Sequence, residues 1–286
     1  MIKVLKPGFY TSVQDTGRTG YRHMGVPVSG AMDIFSAVLA NRLLNNEDDT
    51  AIVEITMTGP VLEFSEPTHI VITGAEMQPS LNKTEIPYNR VVRIKAGDVL
   101  SFGKLQKGIR SYLGIKGGIK TDKVLHSRSL YVPVTKTARI QEGSTLPYEP
   151  FKGDIENLIE IKIDNDFLFD SLIKVCPGPE YDTLSENDRK RLENAAFTVS
   201  AQNNRMAYQL EERLSSNDFS IITSATIPGT VQLTPSGKMI VLMRDCQTTG
   251  GYPRILQLTE KSTSVLAQKR SGERVDLQVL QQHITS

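Results

Sequence analysis

The chain of 286 residues carries only two cysteines, Cys176 and Cys246. They are spaced far beyond any metal-ligand pattern and are too few for a disulfide framework, so a reducing cytoplasm is the expected setting and no metal site is expected. Charge of one sign is lacking too. Lys+Arg 33 against Asp+Glu 32 leave a net charge of +1, which removes the electrostatic case for nucleic acid or an anionic membrane as partner. No apolar run approaches the roughly 20 residues a membrane helix needs, and Met1-Ile2-Lys3-Val4 opens like a strand, not like a signal peptide. A nucleotide loop is missing as well. Gly114-Ile115-Lys116-Gly117-Gly118 has neither a Gly-Lys-Ser/Thr ending nor dinucleotide glycine spacing; it reads as a strand bend whose amides would at most hold an anion. His69 stands alone, which argues against a catalytic dyad, and is expected at the flank of a strand.

What the sequence does have is a charged loop at a strand end. The apolar run Met239-Ile240-Val241-Leu242-Met243 runs into Arg244-Asp245-Cys246-Gln247-Thr248-Thr249-Gly250-Gly251-Tyr252-Pro253-Arg254. Asp245 supplies an acceptor, Gln247, Thr248 and Thr249 supply donors and acceptors, and Gly250-Gly251 lets the main chain approach a ligand closely. The plainer alternative is a tight turn between strands. Near the other end, Gln14-Asp15-Thr16-Gly17-Arg18-Thr19-Gly20-Tyr21 repeats the order of polar residue, Asp, Thr, Gly and Tyr. A second echo links Val92–Phe102 to Gln268–Leu277, each a basic stretch, a Gly-acid turn and a strand. Both echoes point to a duplicated β protein with approximate halves 1–150 and 151–286, not necessarily uninterrupted.

In chain order, Ile2–Leu5 reads as a strand that hands over at Pro7-Gly8 to the loop of Asp15 and Arg18, whose guanidinium can fork onto a carboxylate or phosphate. A helix is expected from Ala31, capped by Ser29, stopped at Asn45-Asn46, with Met32, Phe35, Leu39 and Leu43 as its apolar face. From Ala51 to Ile119 the reading is β, with short runs at Ile52–Ile55, Val61–Phe64, His69–Ile72 and Val91–Ile94, which implies a barrel or sandwich. Glu54, inside one of these runs, is expected to point outward. Thr121–Asp170 is polar and proline-bearing and reads as a connection between halves; Arg128 within it is a candidate to face a site, with a solvated loop arginine as the alternative. Strands resume at Ile159–Ile161 and Leu172–Val175, and a capping box, Ser185-x-x-Asp188, starts a short helix through Leu192 and Ala196. Asn203-Asn204-Arg205-Met206 is a further polar knot suited to carboxylates and amides, or else an Asn-rich turn.

Taken together, Gln14-Asp15-x-Gly17-Arg18-x-Gly20, Gly30-Ala31-Met32-Asp33 with Ala40-Asn41, Gly117-Gly118, Ser127-Arg128-Ser129, Gly178-Pro179, Asn204-Arg205-Met206 and Asp245-x-Gln247-Thr248-Thr249-Gly250-Gly251-Tyr252-Pro253 resemble the biotin-dependent carboxyltransferase family of the second allophanate hydrolase subunit type. The motifs keep the family's order over nearly the whole chain. The resemblance implies a mainly β fold of two cyclophilin-like β-barrel subdomains with a few short helices. It also implies a subunit that, with a B subunit (KipI-like) and an A subunit, opens the lactam of 5-oxo-L-proline to L-glutamate at the expense of ATP with Mg, shared with the partner subunit. In that setting Asp245, Arg18 and Arg205 would be the catalytic residues, with Asp245 as base or amide acceptor and the two arginines on substrate carboxylate or phosphate oxygens. Gln14, Asp15, Arg128, Asn204, Gln247, Thr248, Thr249, Gly250, Gly251 and Tyr252 would bind the substrate. Two alternatives go with the resemblance. One is a biotin-dependent transfer to urea or a similar amide, for which carboxybiotin would arrive on another protein, since no Ala-Met-Lys-Met motif is present for covalent biotin. The other is a KipA-like regulator of a kinase inhibitor. The chain departs from the family pattern at Leu130, at Thr135–Arg139 and at Ala207–Gln209, where an arginine and a glycine are lost.

Overall fold

The computed structural model describes residues 1–155 and 166–280; the strand expected at Ile159–Ile161 lies outside them. Two compact units emerge, one of Met1–Arg18 with Ser29–Leu168, the other of Thr19–Val28 with Phe169–Ser286. Strands dominate both, and the described residues hold three α-helices: α1 (Ile34–Leu43), α2 (Glu186–Asn194) and α3 (Glu260–Ala267). None is long and apolar enough to cross a membrane.

The N-terminal unit is built from two antiparallel sheets. The order in the first is Thr145–Leu146, Ile2–Lys6, Val61–Phe64, Val99–Phe102, Pro79–Leu81, Thr84–Glu85; in the second it is Tyr10–Gln14, Ile52–Thr56, Lys107–Ile115, Thr68–Glu76, Val92–Ile94. Ile2, Val4, Leu62, Phe64 and Leu100 of the first meet Val13, Val53, Ile55, Ile70 and Leu113 of the second in one core. The opposite face of the second sheet lies under α1, where Ala37, Ile52 and Tyr112 cluster. Where α1 covers it the sheet has no watery side, so polar residues there are buried along with apolar ones. That corrects the outward placement of Glu54: it is 0% exposed and its Oε2 accepts the Met32 N–H at 2.7 Å. His69 is likewise inside the strand Thr68–Glu76 and buried, not at its flank.

Helix α1 differs from expectation at its cap and its face. Asp33, not Ser29, is the N-cap; its carboxylate accepts from the Ser36 N–H at 3.1 Å and the Ser36 hydroxyl at 2.5 Å. Ser29 occupies a turn with φ 57. The buried face is Ser36, Ala37, Ala40 and Asn41, while Phe35 is 37% exposed. Close approach explains this: a Cβ at Gly114 of the sheet would lie 3.1 Å from the Ala40 Cβ, so small residues are required in place of the expected leucine stripe. Up to residue 155, the segment read as a connection belongs to this unit's fold, since Ile140, Leu146 and Tyr148 are in its core and Thr145–Leu146 extends a sheet.

In the C-terminal unit seven strands close into a barrel, in the order Leu172–Pro177, Arg254–Leu258, Thr230–Leu233, Lys238–Leu242, Ala207–Arg213, Ala196–Asn203, Arg274–Val279. Leu172–Pro177 and Arg274–Val279 run parallel; the other pairings are antiparallel. Closure removes free edges. Ser185 caps α2 as expected, accepting the Asp188 N–H at 3.1 Å. The helix stops at Asn194, however, because Ala196 already begins a barrel strand. Thr249–Gly250 leaves the barrel to pair with Ser224–Ala225.

Candidate functional site

Two stretches that are 40 residues apart in sequence meet at one end of the barrel. Asn204 and Arg205 form the turn between Ala196–Asn203 and Ala207–Arg213, and Asp245 follows the strand Lys238–Leu242. Arg205 forks onto the Asp245 carboxylate, Nε to Oδ2 at 2.8 Å and a terminal nitrogen to Oδ1 at 3.2 Å. Both residues are 8% exposed. Main-chain bonds fasten the same junction: the Asp245 N–H donates to the Arg205 carbonyl and the Met243 N–H to the Met206 carbonyl, each at 2.9 Å. Asn204 closes the turn, its Oδ1 accepting from the N–H groups of Met206 at 2.8 Å and Ala207 at 3.1 Å. Both Asp245 oxygens are therefore engaged by a cation within the chain.

Beside this junction lies a cavity of about 590 Å³. Asn204, Gln247, Gly250, Gly251 and Tyr252, all expected at a site, line it; Thr248 and Thr249 do not. Their main chain is used instead to hold the loop, Thr248 through its carbonyl to the Thr226 N–H at 3.1 Å and Thr249 in the two-stranded ribbon. The lining contains amides and apolar groups such as Ile240 and Leu242, with no charged side chain. That composition suits a neutral polar ligand and not a polyanion. Three contributors escape the sequence reading. Gln209 and Gln232 bring amides from barrel strands. Arg22 braces the loop from outside, with a terminal nitrogen donating to the Thr226 carbonyl, to the Gln247 carbonyl at 3.5 Å and to the Thr248 carbonyl at 3.4 Å. The local signal for Gln232 is no more than a polar residue between Val231 and Leu233 in the short strand Thr230–Leu233. Cys246 is buried, and burial pushes its thiol above the usual range against the opposing pull of Arg22, which makes it a poor nucleophile.

The remaining candidates sit in the N-terminal unit. The Asp15 carboxylate accepts from the Gly17 N–H at 2.8 Å, the Arg128 N–H at 2.6 Å, the Ser127 hydroxyl at 2.7 Å and the Ser129 hydroxyl at 2.6 Å. Gly30 is required here, since a Cβ on it would lie 2.9 Å from the Gly17 nitrogen, at φ +87. Arg18 is 1% exposed and donates to the carbonyls of Val124, at 3.2 Å, and Ser129. Gln14 is buried and donates to the Ser12 hydroxyl at 3.0 Å and the Leu130 carbonyl at 3.3 Å. These residues tie Gln14–Arg18 to the Val124–Leu130 loop. Among the described residues no group of three or more His, Cys, Asp or Glu is placed to hold a metal ion.

Comparison with known proteins agrees with this architecture. The family model described as carboxyltransferase domain, subdomain A and B, matches residues 24–279. The chain is 33% identical to the C-type subunit of 5-oxoprolinase from Escherichia coli strain K12, over 96% of its own length and 89% of that protein. It is 47% identical to urea amidolyase of Saccharomyces cerevisiae over 131 residues, which are 46% of this chain and 7% of that protein. The crystal structure of Kluyveromyces lactis urea carboxylase aligns with a TM-score of 0.79 at 27% identity, over 98% of this chain and 27% of that one. These last two proteins extend well beyond what this chain covers.

Proposed function

The chain belongs to the carboxyltransferase-domain family of subdomains A and B, and from that premise we propose that it is the C-type subunit of an ATP-dependent 5-oxoprolinase. In this reading it acts with A and B subunits to open the lactam of 5-oxo-L-proline to L-glutamate. The observation that carries the reading is the breadth of the similarity: 96% of this chain aligns with 89% of the E. coli protein. The cavity supports it. A lactam ring is compact, neutral and polar, and amides around an apolar floor match it.

ATP with Mg does not fit this cavity, because a triphosphate needs cations and the lining has none. We assign the nucleotide to the partner side of the complex and derive no step through it. The substrate carboxylate is likewise assigned to a cation outside the lining. Asp245 and Arg205 fasten the junction beside the cavity, and Arg18, Asp15, Gln14 and the Arg128 main chain hold the N-terminal loops.

The test is reconstitution. The chain combined with A and B subunits should release phosphate from ATP only when 5-oxoproline is supplied, and the chain alone should not. Hydrolysis of ATP by the chain alone in response to 5-oxoproline would refute the division of labour. The 47% local identity to urea amidolyase favours carboxyl transfer to urea as the second reading. Consumption of carboxybiotin with urea, and silence with 5-oxoproline, would establish that one instead.

A further inference from the structure

We infer that Gln232 is a positioning residue that fixes the amide of Gln247 with its carbonyl presented, so that the cavity selects ligands bearing an N–H. This rests on the reading of the cavity given above and narrows what it takes. The orientation follows from one unambiguous group. The Tyr252 main-chain carbonyl can only accept, so the Gln232 nitrogen must face it, as it does at 3.4 Å. The Gln232 Oε1 is then turned to Gln247, whose Nε2 donates to it at 3.2 Å. With its nitrogen committed, Gln247 has its Oε1 left over. That oxygen is buried and has no hydrogen-bond partner within the chain, while the Gln247 side chain lines the cavity. A buried acceptor without a donor is costly; a ligand N–H removes the cost, and a ligand carbonyl or ether oxygen would add repulsion.

The relay is enforced by packing. Gln232 is 2% exposed on a barrel strand whose four residues are all buried, so its amide cannot swing to solvent. A Cβ added at Gly250 would stand 2.4 Å from the Gln232 nitrogen. Glycine at that position is what leaves room for the amide. The chemical class this selects is the cyclic or open secondary amide, with urea-type N–H groups also admitted, and the class it rejects is the lactone or N-alkylated amide of the same shape.

The experiment titrates the full-length chain with 2-pyrrolidinone, γ-butyrolactone, N-methyl-2-pyrrolidinone and 5-oxoproline, following side-chain amide signals in nitrogen–proton correlation spectra. The lactone is the clean probe, since it replaces the N–H by oxygen without added bulk. The lactam should bind about tenfold or more tightly than the lactone, the scale of one buried hydrogen bond replaced by an unpaired acceptor. In Gln232→Met the Gln247 amide is free to turn over, and that preference should fall to near parity; Gln232→Glu still accepts from Gln247 and should keep it. A purely structural Gln232 would change affinity for both ligands and leave their ratio alone. Equal binding of lactam and lactone, an unchanged ratio in Gln232→Met, or no binding of any N–H ligand would overturn the inference. If Gln232→Met fails to fold, the wild-type ratio decides. Lactam preference without binding of 5-oxoproline would sink the substrate reading alone, whereas 5-oxoproline-dependent turnover in the complex with lactam–lactone parity would sink the inference alone.

Discussion

Asp15 and Asp245 look like the same device in sequence and are opposite devices in space. Both follow a strand, and at 7% and 8% exposure they are buried to the same degree. Asp15 is held by four neutral donors, two hydroxyls and two main-chain N–H groups. Asp245 is held by a guanidinium. The first arrangement surrounds the acid with neutral donors and leaves them stranded if the acid goes. The second is neutral as a pair, and its energy lies in the match between partners more than in the presence of either. Burying a carboxylate is tolerated in both cases because each of its oxygens has a donor.

The largest effect that would break this comparison is expected from Asp15→Ala. Four donors would lose their acceptor at once, and at about 1–3 kcal/mol for each buried group left unpaired the loss should be on the order of 5 kcal/mol, read by denaturant unfolding. Asp15→Asn should cost about half as much, since one oxygen remains. A loss below about 1 kcal/mol for Asp15→Ala would mean that water enters the cage freely. The Arg205–Asp245 pair should behave differently. Each of Arg205→Met and Asp245→Leu alone should cost about 3–5 kcal/mol, and the double variant much less than their sum, because both charges then leave together. Additive losses would show that the two side chains act separately. Asp245→Asn in the reconstituted complex adds a functional arm. A drop of roughly 100-fold in turnover at unchanged stability would make Asp245 a proton-transfer group, whereas reduced stability with normal turnover of the folded fraction is what the occupied carboxylate leads us to expect.

The difference between the two acids explains how far the sequence can be read. Short β-branched runs identify the strands at Ile52–Ile55, Val61–Phe64 and Lys238–Leu242 because their pattern is local. The partners that decide what each acid does are not local: Ser127 and Ser129 lie 112 and 114 residues from Asp15, and Arg205 lies 40 from Asp245. No spacing rule links them. Helix α1 is visible in the sequence but its buried face is not, since the requirement for a small residue at Ala40 comes from Gly114 on a strand far along the chain. Glu54 reads as outward because a polar residue in a strand usually marks a wet face, and here α1 covers that face. Gln232 escapes notice for the same reason in reverse, a polar residue in a run that looks like plain core.

A smaller pair of acids in the C-terminal unit sharpens the contrast between charged and neutral partners. The Arg254 guanidinium holds the Glu180 carboxyl below its usual range against the opposing effect of burial. Burial pushes Asp188 up, and hydrogen bonds from Ser215 and Ser185 outweigh it and leave it low. For both, the folded state holds its proton less tightly than the unfolded chain. Their contributions are therefore complete above the ordinary carboxylate range and are lost as pH falls through the lowered values. Glu180→Gln and Asp188→Asn should each flatten the acid limb of stability against pH. Salt separates them: the Glu180–Arg254 side chains are 17% and 20% exposed, so this pair should contribute about 1 kcal/mol or less and weaken with added salt, while the Asp188 contribution should hardly move. Equal salt sensitivity would erase the distinction.

The smallest effect is expected from His69, a titratable group with neither kind of partner on its Nδ1. Burial lowers its pKa from the ordinary 6.5, the nearby charges of Arg93 and Lys116 lower it further, and Asp154 works the other way. The Phe151 ring packs edge-on against the His69 ring at 5.6 Å. As pH falls through the ordinary value of 6.5, the unfolded chain takes the proton first, so the folded state loses stability until its own lower pKa is reached; above that ordinary value nothing changes. In His69→Gln the slope between neutral pH and the onset of carboxylate protonation should disappear, with stability at about pH 8 altered only by the packing of the new side chain. Thermal midpoints of both proteins taken across roughly pH 5 to 8 measure this. A slope that survives in His69→Gln would mean that burial without a partner does not by itself make His69 acid-sensitive.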